Sequence, residues 1–222
     1  HDAISAIFGA ASKVVTEAGG TIAGGHTIRN PEPIFGLAVQ GVVHPSKIWR
    51  KGGSQPGDIV MMSKPIGTAL ALAGGCATDQ RAAINGMRTL NRRAAEQLRE
   101  LGDDVHAVTD VTGYGLAGHG WEVAERGGVR LHIDAQNIVA YPGALKAATE
   151  GMRTGGDPRN RTYVEGHCTI SAPDAHAALC FDPQTSGGLL AVVPQHRQQQ
   201  LLDLGWWHAG RIEAGAPGIV IE

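Results

Sequence analysis

Asp110 closes a short apolar run, Val105 to Thr109, and stands just ahead of a turn punctuated by Gly113 and Gly115. A strand end holds such a carboxylate still, and the amides of a glycine-rich turn lie open to an anion. That combination suits Mg²⁺ against phosphate oxygens, because Mg²⁺ takes few protein carboxylates and many substrate oxygens. An isolated Asp in this place merely ends a strand and caps a turn. Two further glycine-rich stretches favour the ligand site. Gly24-Gly25-His26-Thr27 offers bare amides, an imidazole and a hydroxyl within one step of chain, which suits phosphate or nucleotide contact. A plain glycine turn with a surface histidine accounts for it equally well. Phe181-Asp182-Pro183-Gln184-Thr185-Ser186-Gly187-Gly188 combines an Asp-Pro turn, two hydroxyls and two glycines, and it leads into an apolar strand. Its alternative is a demanding turn between packed elements.

The elements that must carry these residues follow from periodicity. Ala3 to Ala18 repeats apolar residues every 3.6 positions, predicting an amphipathic helix with one buried face, stopped by Gly19-Gly20. Phe35 to Val43 predicts a strand. Pro45 to Asp58 is polar and rich in Gly and Pro, and marks a boundary between two units. Lys47, Arg50, Lys51 and Lys64 offer charge to an anion but read as scattered solvated groups. Asp58 to Ser63 predicts a buried strand. Lys64 to Thr68 turns into a helix reaching about Ala73, and its Pro-x-Gly-Thr amides offer an anion site without Walker spacing.

Helices are predicted over Asn91–Leu101, over Leu116–Arg126 up to Gly127-Gly128, over most of Asn137–Gly151 around Pro142, and over Gln195–Leu204. Strands are predicted at Val105–Thr109, Val129–Ile133, Leu189–Val193 and within Ile212–Ile221, giving a βαβ-like alternation. Gly155–Gly166 reads as a polar loop. His119 is placed to approach a ligand at the Asp110 turn, although packing is the commoner use of such a histidine. Trp206-Trp207 reads as core or subunit contact.

With 222 residues, 42% hydrophobic and 18% charged, the chain can bury one large core or two modest ones. Its 32 glycines, about twice average usage and without a collagen repeat, call for tight turns and close backbone–ligand approaches. A formal charge of −2 gives no support for bulk nucleic-acid binding. Cys76, Cys168 and Cys180 form no CxxC pair, which speaks against a disulfide framework or structural zinc and fits a reducing cytosol. Each reads as a small buried hydrophobe. No signal peptide is evident, and no apolar run approaches the roughly 18 residues of a membrane span.

GGHTIRNPEPIFGLAVQG (24–41), SKPIGTA (63–69), TDVTGYGLAGH (109–119) and FDPQTSGGLL (181–190) stand in the order and spacing of the selenophosphate synthetases, or selenide, water dikinases. The resemblance runs essentially from end to end, and four long motifs in register make it specific. Any one alone resembles only the wider aminoimidazole-ribonucleotide-synthetase-like superfamily. The resemblance implies a cytoplasmic, Mg²⁺-dependent homodimer that makes selenophosphate from selenide, ATP and water, releasing AMP and orthophosphate. It makes Asp110 one of three aspartates holding magnesium at the ATP phosphates. It gives Gly24, Gly25, His26 and Thr27 nucleotide contacts that reach across the dimer. The loop from Asp182 to Gly188 becomes scaffolding for the C-terminal domain or its pocket.

By the same resemblance the fold is α+β and aminoimidazole-ribonucleotide-synthetase-like. Residues 1–56 would be the C-terminal part of an N-terminal ATP-binding and dimerisation domain. Residues 57–222 would be a complete C-terminal α/β sandwich domain, with the sheet on one side and helices on the other. The family's Cys or selenocysteine, its catalytic Lys and two further metal-binding Asp residues lie upstream of the point where this chain starts. The expectation is therefore a chain lacking its N-terminal third, with no catalytic residue of its own, that does not turn over ATP alone. A truncated first unit would expose a sheet edge or apolar face.

Two other classes remain. Another enzyme of the superfamily (a thiamine-phosphate kinase, an aminoimidazole ribonucleotide synthetase or a hydrogenase-maturation dehydratase) would share the glycine turns and a metal Asp. A non-catalytic binding module derived from the C-terminal domain would share the fold.

Overall fold

The computed structural model describes residues 2–222. They divide between Ile48 and Trp49 into two compact units. His1, the first residue of the predicted N-terminal domain part, lies outside the described residues.

The first unit contains helix α1 (Asp2–Glu17) and then chain without regular structure as far as a 3-10 turn at Pro45–Lys47. The predicted helix is present, but its apolar stripe is not buried: Ile4, Ile7, Phe8 and Val14 are all exposed, and Phe8 meets Phe35 edge-on at 5.4 Å. The strand predicted for Phe35–Val43 does not form. A strand exists only where a neighbour takes up its N–H and C=O groups, and among the described residues none pairs with this segment.

The second unit is built on one seven-stranded sheet. Its elements in chain order are β1 (Asp58–Met62), α2 (Thr68–Gly74), α3 (Ala77–Arg88), α4 (Arg92–Glu100), β2 (Ala107–Asp110), α5 (Gly115–Gly127), β3 (Arg130–Ile133), α6 (Ala144–Thr149), α7 (Asp157–Tyr163), β4 (Cys168–Ile170), α8 (Asp174–Phe181), β5 (Leu189–Pro194), α9 (Gln198–Asp203), β6 (Trp207–Glu213) and β7 (Gly218–Ile221). The strand order is β2-β5-β1-β6-β3-β7-β4. The first four neighbouring pairs are antiparallel, and β3-β7 and β7-β4 are parallel.

Strand β1 is buried along its whole length because both sheet faces are covered there. Val60 and Met62 join the main core with α2, α3, α5, α6 and α8. Ile59 and Met61 join a second cluster with Ala191 and Val193 of β5, Ala94 and Leu98 of α4, Leu201 of α9 and Trp206. The helices are therefore not confined to one side, as the resemblance implied. Trp206 and Trp207 are both core residues, one in each cluster. The outer edge of β2 is partly closed by the Arg50 carbonyl, which accepts from Val108 N at 2.9 Å.

Helix α7 occupies what reads as a polar loop, and α3, α8 and β4 were not expected. Helix α7 starts with Pro158 near its N-terminus, is polar, and buries only Asp157 and Asn160. Helix α8 is buried along consecutive positions, Ala177 to Phe181, so it shows no 3.6-residue stripe. Between α5 and α7, the expected long helix is reduced to a 3-10 turn at Ala135–Asn137 and the short α6.

Candidate functional site

Three of the four sequence motifs meet at one end of this sheet. Asp110, the last residue of β2, pairs with Leu189, the first of β5, and Met62, the last of β1, pairs with Leu190. The three chain segments beyond these strand ends are therefore neighbours. Backbone bonds join them: Val111 N donates to Gly188 O at 2.9 Å, Ser63 N to Leu189 O at 3.0 Å, and Gln184 N to Thr112 O at 2.9 Å. Gly187 is required by this approach, since a Cβ there would lie 2.0 Å from Val111 O. Gly115 turns the chain from the β2 end into α5 with φ +69°, a left-handed conformation that favours glycine.

The loop from Asp182 to Gly188 turns its polar groups inward. Gln184 Oε1 accepts from Gly67 N at 3.0 Å and Thr68 N at 3.1 Å. Asp182 Oδ2 accepts from Ala69 N at 3.0 Å and Leu70 N at 3.4 Å, and Thr154 Oγ1 donates to its Oδ1 at 3.2 Å. Gln184 Nε2 in turn donates to Asp182 O at 2.7 Å. These bonds occupy the free amides at the start of α2, so the Pro-x-Gly-Thr turn holds no external anion: its ligand is the Asp182–Gln184 pair. Burial pushes the Asp182 carboxyl up to about 6, against the lowering effect of the Leu70, Ala69, Thr154 and Gln184 hydrogen bonds.

Lys64 is also not the solvated charge its sequence setting suggests. It is buried, and its Nζ donates to Thr89 O at 2.5 Å, Ser186 O at 2.9 Å and Gly86 O at 3.2 Å. No carboxylate faces it among the described residues, and burial lowers its pKa. It ties the loop to the end of α3. Asn91 Nδ2 adds a bond to Gly187 O at 2.8 Å. Asn160 of α7 fixes the other side, donating to Gly113 O at 2.9 Å and Phe181 O at 2.8 Å. Sequence reasoning missed Lys64, Asn91 and Asn160 as site-building residues. Their only signal was polarity beside buried segments.

Asp110 itself is exposed, and among the described residues no hydrogen bond or ion pair engages its carboxylate. A rigid, unpartnered carboxylate fits a hard cation that takes one protein ligand from this side. No group of three His, Cys, Asp or Glu converges among the described residues, so Asp110 does not by itself make a metal site. His119 is buried and lies behind the turn, with Nε2 3.1 Å from Thr112 Oγ1. Gly24, Gly25, His26 and Thr27 belong to the first unit. They are exposed, and a Cβ at Gly24 or Gly25 would meet nothing within 4 Å.

The thiols are unlike one another. Cys180 is buried and its pKa is raised, as expected of a small core residue. Burial pushes Cys168 up to about 11. Cys76 is exposed, against expectation, because it stands just before α3 at the surface, where its N–H is taken by Asp79 Oδ2 at 3.0 Å.

Residues 55–221 match the family described as AIR synthase related protein, C-terminal domain, and the chain belongs to that family. The fold agrees. The thiamine-monophosphate kinase of Stenotrophomonas maltophilia K279a superposes with a TM-score of 0.55 at 21% identity, covering 78% of this chain and 52% of that one. The hydrogenase maturation protein HypE gives 0.56 at 17% identity, covering 82% and 53%.

Within the family, the sequence is similar to selenide, water dikinases. It is 39% identical over 235 residues to that of Pseudomonas straminea, covering 100% of this chain and 65% of the relative. It is 36% identical over 225 residues to that of Caldanaerobacter subterraneus subsp. tengcongensis, covering 96% and 65%. The chain thus spans about two-thirds of the length of these relatives. Among the described residues, no helix is long and apolar enough to cross a membrane.

Proposed function

We propose that the chain supplies the C-terminal domain and part of the nucleotide site of a selenide, water dikinase, which makes selenophosphate from selenide, ATP and water and releases AMP and orthophosphate. The observation that carries this is sequence identity of 36–39% across nearly the whole chain to proteins of that name. Thiamine-monophosphate kinase and HypE share the fold at only 17–21% identity, which favours neither of them.

In this reading Asp110 is a Mg²⁺ ligand. Bound Mg²⁺ would neutralise charge on the phosphate oxygens, and phosphoryl transfer is mostly positioning and charge stabilisation. Gly24, Gly25, His26 and Thr27 contact the nucleotide of a homodimer, in a domain part ending near residue 56, and the remainder from 57 is the second domain. The Asp182–Gly188 loop is scaffolding: its polar atoms are engaged at the start of α2, while its backbone braces the Asp110 turn. The thiol or selenol and the lysine of the reaction come from a segment upstream of this chain, and the protein works in the cytoplasm.

Calorimetry with Mg²⁺ and a non-hydrolysable ATP analogue tests the Asp110 role. Weak Mg²⁺-dependent binding by the chain, abolished in Asp110→Ala, is expected, and binding that survives the substitution would remove Asp110 from the site. Selenide-dependent AMP release by the chain extended with its upstream segment tests the activity. A well-folded extended protein that releases none would sink it.

A further inference from the structure

Behind the Asp110 turn runs a line of side-chain hydrogen bonds. Lys51 Nζ donates to Glu122 Oε2 at 2.6 Å, and His119 Nδ1 lies 2.9 Å from the same oxygen. His119 Nε2 lies 3.1 Å from Thr112 Oγ1. The imidazole is deeply buried, with 8% of its side chain exposed. The turn is already held without this line. Thr112 O accepts from Gln184 N and Gly115 N, and Gly113 O accepts from Asn160.

The direction of each bond follows from its partners. Burial raises the Glu122 carboxyl, but the hydrogen bonds from Lys51 and His119 outweigh it, and the group lies below its ordinary value. Glu122 is thus a carboxylate and accepts from both neighbours. His119 then directs an Nδ1 proton at Glu122, and in the singly protonated ring this leaves a bare lone pair on Nε2. In that tautomer the Thr112 hydroxyl is the donor to the lone pair. Its hydrogen is turned inward, and its oxygen keeps acceptor capacity on the other side. Burial alternates along the chain here: Thr109 and Val111 are buried, while Asp110 is exposed and Thr112 half-exposed. Thr112 thus stands two residues beyond Asp110, just past the end of β2 and partly open to solvent.

We propose that His119, held by Glu122 and Lys51, is a positioning residue that locks the Thr112 hydroxyl as an acceptor beside the Asp110 carboxylate, facing the same cation–phosphate ligand. This rests on the reading of the Asp110 turn as that ligand's site. A hydroxyl fixed in this way presents an oxygen to a hard cation or to its bound water without reorienting when the ligand arrives. A free rotor must be ordered at that moment, at a cost in affinity.

Two measurements test the relay. In the enzyme extended with its upstream segment, His119→Leu and Thr112→Val should each raise the Mg²⁺ concentration for half-maximal AMP formation about tenfold, with kcat changed less than about threefold. The double variant should be no worse than either single one, because both remove the same oriented hydroxyl. His119→Gln, whose amide oxygen can accept from Thr112, should recover most of the loss. Additive effects, or an unchanged Mg²⁺ requirement in a folded His119→Leu protein, would overturn the proposal. The ¹⁵N shifts of the His119 ring in the 222-residue chain provide a readout that needs no activity. The Nδ1-protonated tautomer is expected, and an Nε2-protonated ring overturns the relay whatever the enzyme does. If the extended wild-type protein makes no AMP, the proposed function fails, and the tautomer alone decides the relay.

Discussion

Asp182 is a buried carboxyl surrounded by donors, and its ionisation should make the fold pH-dependent in a particular direction. Two amides, one hydroxyl and the Gln184 amide point at it, but among the described residues no cation does. Its pKa rises from an ordinary 3.8 to about 6, chiefly through burial. The folded chain therefore holds this proton more tightly than the unfolded one. The stability it contributes is fully present below the unfolded value and is lost as pH rises through about 6. Across the whole window the shift corresponds to about 3 kcal/mol, of which about 2 kcal/mol falls between roughly pH 4.5 and 7.5. Asn in its place keeps one carbonyl for Ala69 and Leu70, and its amide can donate to Thr154 Oγ1 once that hydroxyl turns. Asp182→Asn should thus gain stability relative to wild type by about 2 kcal/mol on going from pH 4.5 to 7.5. Urea unfolding of both chains at the two pH values, followed by fluorescence of the buried Trp121, Trp206 and Trp207, measures this. The comparison cancels every other titrating group. A gap that stays constant within about 0.5 kcal/mol, or that moves toward the wild type as pH rises, would refute the reasoning.

Gln184→Ala should destabilise the second unit by about 2–4 kcal/mol, because it leaves the Gly67 and Thr68 amides without their acceptor. Gln184→Glu keeps that acceptor but loses the amide that donates to Asp182 and sets a second carboxyl beside it, so near pH 7 it should cost at least as much in the same urea assay. With a disulfide reagent near pH 8, Cys76 should react at once and Cys168 slowly, its thiol being pushed up to about 11, with Cys180 reacting only on unfolding. A second fast thiol in the native chain would contradict the burial described here. Asp110→Ala, which breaks no side-chain bond among the described residues, should leave urea stability within about 0.5 kcal/mol of wild type while removing Mg²⁺-dependent nucleotide binding.

Elements with their own periodic signal were legible in the sequence: α1, α4, α5 and the strands β1, β2, β3 and β5 lie within a few residues of expectation. Those it missed have weak local signals and owe their form to neighbours. Helix α8 is buried between other helices, and α7 is polar and anchored by Asn160. Phe35–Val43 shows the reverse case. Its composition favours a strand, but no described neighbour completes the ladder. The amides at the start of α2 invited an anion from outside until the fold brought Asp182 and Gln184 to them across more than a hundred residues.

The sequence by itself determined the chemistry on offer: a carboxylate at a strand end, glycine turns able to approach one another, and four motifs whose spacing carries the family. Those follow from local backbone preference and residue type, which act over a few positions. Tertiary structure decided which polar groups remain available to a ligand. It consumed Asp182, Gln184 and Lys64 in holding the site together, left Asp110 free at its lip, and set His119 behind Thr112. A buried polar group must be satisfied by whatever the fold places beside it, and that partner cannot be read from the group's own neighbours in the chain.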